Sequence, residues 1–195
     1  MVDEVTRKNR RTLLLLFLVF VGPVVASWLL YLYADRFGLP TTNQGEFMRP
    51  PRALAYGKPP LPLTGGSLAA DYLSSHRWTL VYLGGPDCGT DCQRALYVAR
   101  ATRLAMGEQA DLVQRLYLVM GKPAAPAVLK QDAGLTVADA SGEPALLTQF
   151  DPPATAGHYL YVADPHGYLV LRYSLDADPK GLLKDLRHLL GGGEM

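Results

Sequence analysis

Residues Thr12 to Tyr33 read TLLLLFLVFVGPVVASWLLYLY, 22 residues without a formal charge. About 20 apolar residues, each rising about 1.5 Å along a helix, cross a hydrocarbon layer ~30 Å thick. The segment therefore predicts one transmembrane helix. Pro23 falls near its middle, where it removes a backbone donor and kinks a helix that a membrane still tolerates. A cleaved signal peptide is the competing reading. It calls for a shorter apolar run and a small-residue cleavage site, whereas this run is long and ends in Trp28, Tyr31 and Tyr33, the aromatic girdle of a membrane interface.

Arg7, Lys8, Arg10 and Arg11 immediately precede the span, and only Asp35 and Arg36 follow it closely. Short flanks rich in Lys and Arg stay cytoplasmic. The expected topology is single-pass in an inner (plasma) membrane, with a cytoplasmic N-tail (residues 1–11) and an outward-facing C-terminal part. In a bacterium that side is the periplasm; in a mitochondrion it is the intermembrane space. The remainder of the 195-residue chain is long enough for one compact domain with a sizeable core. Setting aside the four basic and two acidic residues of the N-tail leaves 15 Lys and Arg against 16 Asp and Glu. No basic run argues for nucleic acid, and that partner class is not expected.

Residues 34–66 are rich in Pro and Gly and read as a juxtamembrane linker that becomes extended chain lying on the domain. Residues 67–191 are the predicted domain, and 192–195 a loose tail. Leu68 to Ser75 is expected to hold a helical turn or two. Trp78 to Gly84, an apolar β-rich run stopped by a Gly-Gly-Pro sequence, predicts a buried strand. A helix follows and ends at Gly107, with Cys92, Leu96 and Ala99 on one face and Gln93 and Arg100 on another. Arg115 to Met120 predicts a second strand, and short helices are expected within Ala125 to Ala133 and Glu143 to Phe150. His158 to Ala163 and Tyr168 to Ser174 flank the turn sequence Asp164-Pro165-His166-Gly167 and predict a hairpin. Pro179 opens a last helix to Leu190, its apolar stripe formed by Leu182, Leu183, Leu186, Leu189 and Leu190. Two strands joined by a helix must be parallel, and hairpin strands antiparallel. The expected fold class is α/β: a thioredoxin-like mixed β-sheet flanked by helices, behind one N-terminal transmembrane helix.

Cys88 and Cys92 are the only cysteines. In an oxidising compartment a single pair points to a disulfide. Five residues close too little chain for the bond to matter much to stability, so chemistry is the better explanation than stapling. The pair sits where a strand gives way to a helix, and backbone N–H groups and the positive dipole end there favour a thiolate. Sulfurs four residues apart lie on one side of the first turn; they can close a disulfide or both face one soft ion such as Cu(I). The bland alternative is two inert cysteines.

NQGEFMRPPRAL (Asn43 to Leu54), WTLVYLGGPDCGTDC (Trp78 to Cys92) and HYLYVADPHGYLVLRY (His158 to Tyr173) together resemble the Sco/SenC family, membrane-tethered thioredoxin-like proteins that assist copper-site assembly in cytochrome c oxidase. The resemblance spans most of the chain and marks a divergent member. It implies a redox pair formed by Cys88 and Cys92, and copper as the cofactor, bound by those two sulfurs and a distal histidine shortly before an N/D-P-x-G turn. It also implies the oxidase subunit carrying the copper site as partner. Cys88 and Cys92 match the family cysteines, and Asp164 to Gly167 matches the turn. Two departures stand out. Gly89 follows the first cysteine where the family usually has Pro, and the family histidine would fall near Ala156, two residues before His158. Strand side chains alternate with period two, so His158 faces the same side and is the candidate third ligand.

A strand-end histidine is otherwise a half-exposed, hydrogen-bonded residue, and His166, His76 and His188 read as surface residues. Asp87 and Asp91 are expected to cap the helix and charge its first turn. Trp78, Tyr82, Tyr117, Tyr159 and Tyr161 read as core, and Arg94, Arg100 and Arg103 as solvated helix charges. Two other functions compete with oxidase assembly. One is a general extracytoplasmic thiol-disulfide oxidoreductase, a class that carries C-x-x-C, or a peroxidase, which would need a Thr-x-x-Cys arrangement absent here. The other is a non-catalytic membrane-anchored scaffold.

Overall fold

The computed structural model describes residues 2–33, 44–54, 61–62, 72, 75–121, 132, 134–152 and 157–191. The chain divides into two units, residues 1–42 and 43–195. In the first, helix α1 runs Val2–Tyr33 with Pro23 inside it. It begins ten residues before the expected span because the N-tail, with Glu4, Arg7, Lys8, Arg10 and Arg11 and neither Gly nor Pro, consists largely of good helix formers. Within α1, the 19 residues Leu15–Tyr33 have mean hydropathy 2.3, and Phe17, Leu18, Phe20, Trp28 and Tyr31 all stand exposed. That length and apolarity fit a transmembrane anchor.

The second unit is built on a seven-stranded sheet. In chain order its elements are β1 (Glu46–Ala53), β2 (Leu61–Pro62), β3 (Trp78–Gly84), α2 (Thr90–Ala105), a 3-10 turn (Gly107–Leu112), β4 (Val113–Val119), β5 (Leu135–Asp139), α3 (Pro144–Leu147), β6 (Tyr159–Ala163), β7 (Tyr168–Ser174) and α4 (Pro179–Gly191). The strands lie in the order β1-β7-β6-β3-β4-β5-β2. β3 and β4 are parallel and in register from Trp78 opposite Val113 to Gly84 opposite Val119. β6 pairs antiparallel with both β3 and β7. This is the expected thioredoxin-like mixed sheet.

Alternation along β3 sorts its side chains into two cores. Leu80 and Tyr82 face α2 and α4, packing with Cys92, Leu96, Ala99, Leu182 and Leu186. Val81 and Leu83 face the other way, with Leu116, Leu118, Leu146 and Phe150. α2 ends on Met106 because Gly107 takes φ +61°, a left-handed conformation that glycine adopts without Cβ strain. Arg103, expected to be solvated, ties this end down: its Nε donates to the Val113 carbonyl at 2.8 Å.

Three strands stand where no strand is expected, the two-residue β2 beside β5 and the longer β1 and β5. Residues 46–53, expected as linker that becomes extended chain lying on the domain, are that extended chain and pair as β1 at the edge of the sheet, antiparallel to β7. Only Met48 on it is buried, so main-chain pairing rather than an apolar pattern holds it. An edge strand also tolerates Pro50 and Pro51, and the register shifts between Phe47 and Arg52. β5 was not anticipated, since five residues behind Gly134 carry little pattern; its partner β4 supplies the pairing from Arg115 opposite Leu135 to Val119 opposite Asp139. The helix expected within Glu143 to Phe150 is one turn, Pro144–Leu147. Those expected at Ala125 to Ala133 and Leu68 to Ser75 fall largely outside the described residues, as does the 192–195 tail.

Asp185 fastens the chain where it enters β1. Buried on α4, it accepts hydrogen bonds from the backbone N–H of Gln44 (2.8 Å) and Gly45 (3.0 Å) and from the Tyr173 hydroxyl. Gly181, one turn earlier, makes room: a Cβ there would stand 2.6 Å from Cβ of Gln44.

Candidate redox and metal site

The loop leaving β3 carries the cysteines to the start of α2. Gly89 is the N-cap residue and offers no side-chain cap; the Gln93 N–H returns to its carbonyl at 3.0 Å. Cys88 precedes the helix and Cys92 lies in its first turn. The two are joined by a disulfide with Cα atoms 5.0 Å apart. Cys92 is buried against the core while Cys88 is only partly buried. The Gln93 side-chain amide donates to the Cys88 carbonyl at 3.3 Å.

Both cysteines line an open depression of about 500 Å³, whose walls include Pro86, Asp87, Asp91, Gly157 and His158 and whose floor includes Tyr82. His158 immediately precedes β6, and its backbone carbonyl accepts from Leu175 N–H at 3.0 Å. The structure thus brings His158 to the cysteine pair across the mouth of the site. His166 stays in the exposed hairpin turn, its N–H bonded to Asp164 at 2.9 Å. His76 and His188 lie elsewhere and line no part of the depression. Position 156 is outside the described residues.

Asp91 supplies the first-turn charge expected of it but not the helix cap, which falls to Gly89. The Asp91 side chain lines the depression, with Oδ2 3.3 Å from Nδ1 of His158. Tyr82 and Tyr117, expected to be core residues, do more than pack. Their rings are core, 5.5 Å apart between centroids, but their hydroxyls serve the site's two loops. Tyr117 donates to the Gly85 carbonyl, and Tyr82 donates to the Gly157 carbonyl at 3.1 Å. Burial pushes both phenols up to about 12, helped for Tyr82 by its neighbour Tyr117 and by Asp91, and for Tyr117 by Asp87, so both remain donors at neutral pH. The available signal was the place of each tyrosine near the end of its strand, Tyr82 two residues before Gly84 and Tyr117 two residues before Val119.

A thiolate pair beside an imidazole is a donor set suited to a soft ion. With the sulfurs bonded to each other, no group of three or more His, Cys, Asp or Glu stands in a ligating arrangement among the described residues. The cysteines must be reduced before either sulfur can act as a nucleophile or a metal ligand.

Sheet topology, helix placement and a C-x-x-x-C disulfide at the strand-to-helix junction define a thioredoxin-like protein behind a membrane-length helix. Residues 78–191 match the family model described as transmembrane-like, thioredoxin-like, C-terminal domain, and residues 3–33 match transmembrane-like, N-terminal domain. The chain belongs to this transmembrane-like, thioredoxin-like family. No curated relative matches its sequence significantly. Among solved structures, yeast Sco1 with copper bound superposes with a TM-score of 0.56 at 15% identity, covering 78% of this chain and 95% of that one. Apo Sco1 from Thermus thermophilus gives 0.54 at 20% identity, covering 78% and 99%. ScoI from Bradyrhizobium japonicum with copper bound gives 0.52 at 20% identity, covering 74% and 98%. The Sco/SenC resemblance carried by the sequence motifs is matched in fold, at a divergent level of identity.

Proposed function

We propose that this protein is a membrane-tethered assembly factor for the copper site of cytochrome c oxidase. Copper is its cargo, and Cys88, Cys92 and His158 are the residues that handle it. The observation that carries this reading is the Cys88–Cys92 pair opening on the same depression as His158. The copper-bound Sco proteins of the same fold support it. The four basic residues before the span favour a domain facing the periplasm or intermembrane space, where client copper sites are assembled and disulfides form.

The pair serves this role in either of two ways. As a metal carrier, the reduced cysteines offer two thiolates and His158 a neutral nitrogen. As a reductant, the Cys88 thiolate attacks one sulfur of a client disulfide, forming a Cys88–client bond and releasing one client thiolate. Cys92 then attacks the Cys88 sulfur and releases the second. Two electrons pass to the client, and the chain is left with the Cys88–Cys92 disulfide, to be re-reduced by an external dithiol. The greater exposure of Cys88 supports its role as the attacking sulfur.

Cu(I) titration of the reduced full-length chain in detergent tests this reading. One Cu(I) per chain is expected, abolished by Cys88→Ser with Cys92→Ser and weakened more than about tenfold by His158→Ala. Binding that survives the double substitution would overturn the site. Unchanged affinity in His158→Ala would remove His158 from it. Reduction of a disulfide-bonded oxidase copper-site peptide without any Cu(I) binding would select the reductant version.

A further inference from the structure

The proposed ligand His158 is held from three sides by groups that the metal reading does not itself require. Its carbonyl is bonded to Leu175 N–H at 3.0 Å. The preceding Gly157 carbonyl rests on the Tyr82 hydroxyl at 3.1 Å. Its ring nitrogen Nδ1 faces Oδ2 of Asp91 at 3.3 Å. Asp91 and His158 both line the depression and are far apart in sequence, so the tertiary fold creates their contact.

A carboxylate against Nδ1 has a definite chemical consequence. An ionised carboxylate only accepts, so its approach to Nδ1 favours the hydrogen on that nitrogen, and in a neutral imidazole Nε2 is then left with the lone pair. A carboxylate on the far nitrogen is how ligating histidines are commonly oriented and made more basic.

We infer that Asp91 is a positioning residue for His158. It fixes the Nδ1–H tautomer and so makes Nε2 the nitrogen offered toward the cysteine pair, while Tyr82 holds the loop beneath at the height where this contact forms. The inference rests on the copper reading above for its purpose, but not for its geometry. It gives Asp91 a role other than helix capping: Gly89 is the cap, and the carboxylate lies 3.3 Å from the His158 ring nitrogen.

The test uses the full-length oxidised chain in detergent micelles, selectively 15N-labelled on histidine, at pH 8.5. His158 resonances are assigned by their loss in His158→Gln, and long-range 15N–1H correlation reads the tautomer. Wild type is expected to show Nδ1–H at His158, against predominantly Nε2–H at the exposed His166. Asp91→Ala is expected to convert His158 to the His166 pattern. Asp91→Asn, which keeps an acceptor oxygen, is expected to retain Nδ1–H, a rescue that a purely structural role would not predict. Tyr82→Phe is expected to leave a mixture. An Nε2–H tautomer at His158 in wild type, or an unchanged tautomer in Asp91→Ala, overturns the inference. In the reduced chain, Asp91→Ala is expected to weaken Cu(I) binding about tenfold. A wild type that shows the Nδ1–H tautomer yet binds no Cu(I) removes the copper reading and leaves the placement of His158 by Asp91 standing.

Discussion

Tyr82 and Tyr117 stand opposite each other on paired strands, ring centroids 5.5 Å apart, each turning its hydroxyl to a different loop of the cysteine site. The sheet therefore supports the site through two phenols. One lies under the loop that leads to Cys88 and the other under the loop that leads to His158.

Removing either hydroxyl leaves a loop carbonyl without its donor. Tyr82→Phe and Tyr117→Phe are each expected to cost about 1 kcal/mol, measured by urea unfolding. The two losses should fall short of additive, because the rings touch and share the site.

The same phenols set an alkaline limit. Burial raises both from the usual tyrosine value of 10.0 to about 12, so between these values the native state holds protons that the unfolded state has released. Their contribution is complete below pH 10 and is lost as pH rises toward 12. Buried Tyr161 and Tyr173 are raised as well and act in the same sense. Unfolding free energy should fall between pH 10 and 12, and the Phe variants should flatten that slope.

At the other end of the scale stands Asp151. Burial raises its carboxyl, but hydrogen bonds from Arg172 and Tyr161 and the charges of Arg172 and Arg52 outweigh that and hold it below its usual value of 3.8. Arg172 approaches it to 2.8 Å and the Tyr161 hydroxyl to 3.0 Å. A lowered carboxyl stabilises the native state above the unfolded value, and that stability disappears as pH falls through the folded one. Asp151→Asn should lower stability at pH 7 and reduce its loss as pH falls below the usual carboxyl value of 3.8, read by acid unfolding.

The attachment of β1 depends on Asp185. Asp185→Ala strips partners from the buried N–H of Gly45, the part-buried N–H of Gln44 and the Tyr173 hydroxyl, and is expected to cost about 3 kcal/mol. Tyr173→Phe, which removes one bond and keeps the carboxylate, should cost about 1 kcal/mol. Limited proteolysis should cut first near Glu46 in Asp185→Ala and not in the tyrosine variant.

Reduction of Cys88–Cys92 opens a loop of only five residues, for which chain entropy gives at most about 2 kcal/mol of stabilisation. The reduced domain should stay folded with a modestly lower melting temperature. A redox pair needs this property and a structural staple does not.

What the sequence made legible follows the range of the interactions involved. β3, β7 and α4 carry local apolar patterns strong enough to place them at or within a residue of their ends. The cysteine pair was legible because its strand-to-helix junction is local too. β1 and β5 take their structure from the free edges of β7 and β4, and no local pattern announces an edge that another strand supplies. The contact between Asp91 and His158 is of the same kind. A short carboxylate in a first helical turn reads as a cap until the facing loop is known.

The account stands or falls on a disulfide that solvent thiols can reach. In a glutathione redox titration of the folded chain, trapped with a thiol-specific maleimide and mapped by mass spectrometry, the pair should pass between oxidised and reduced forms in one two-electron step. Cys88 should carry the mixed glutathione disulfide and react before Cys92. A bond that resists reduction until the domain unfolds, or adducts confined to Cys92, would contradict it.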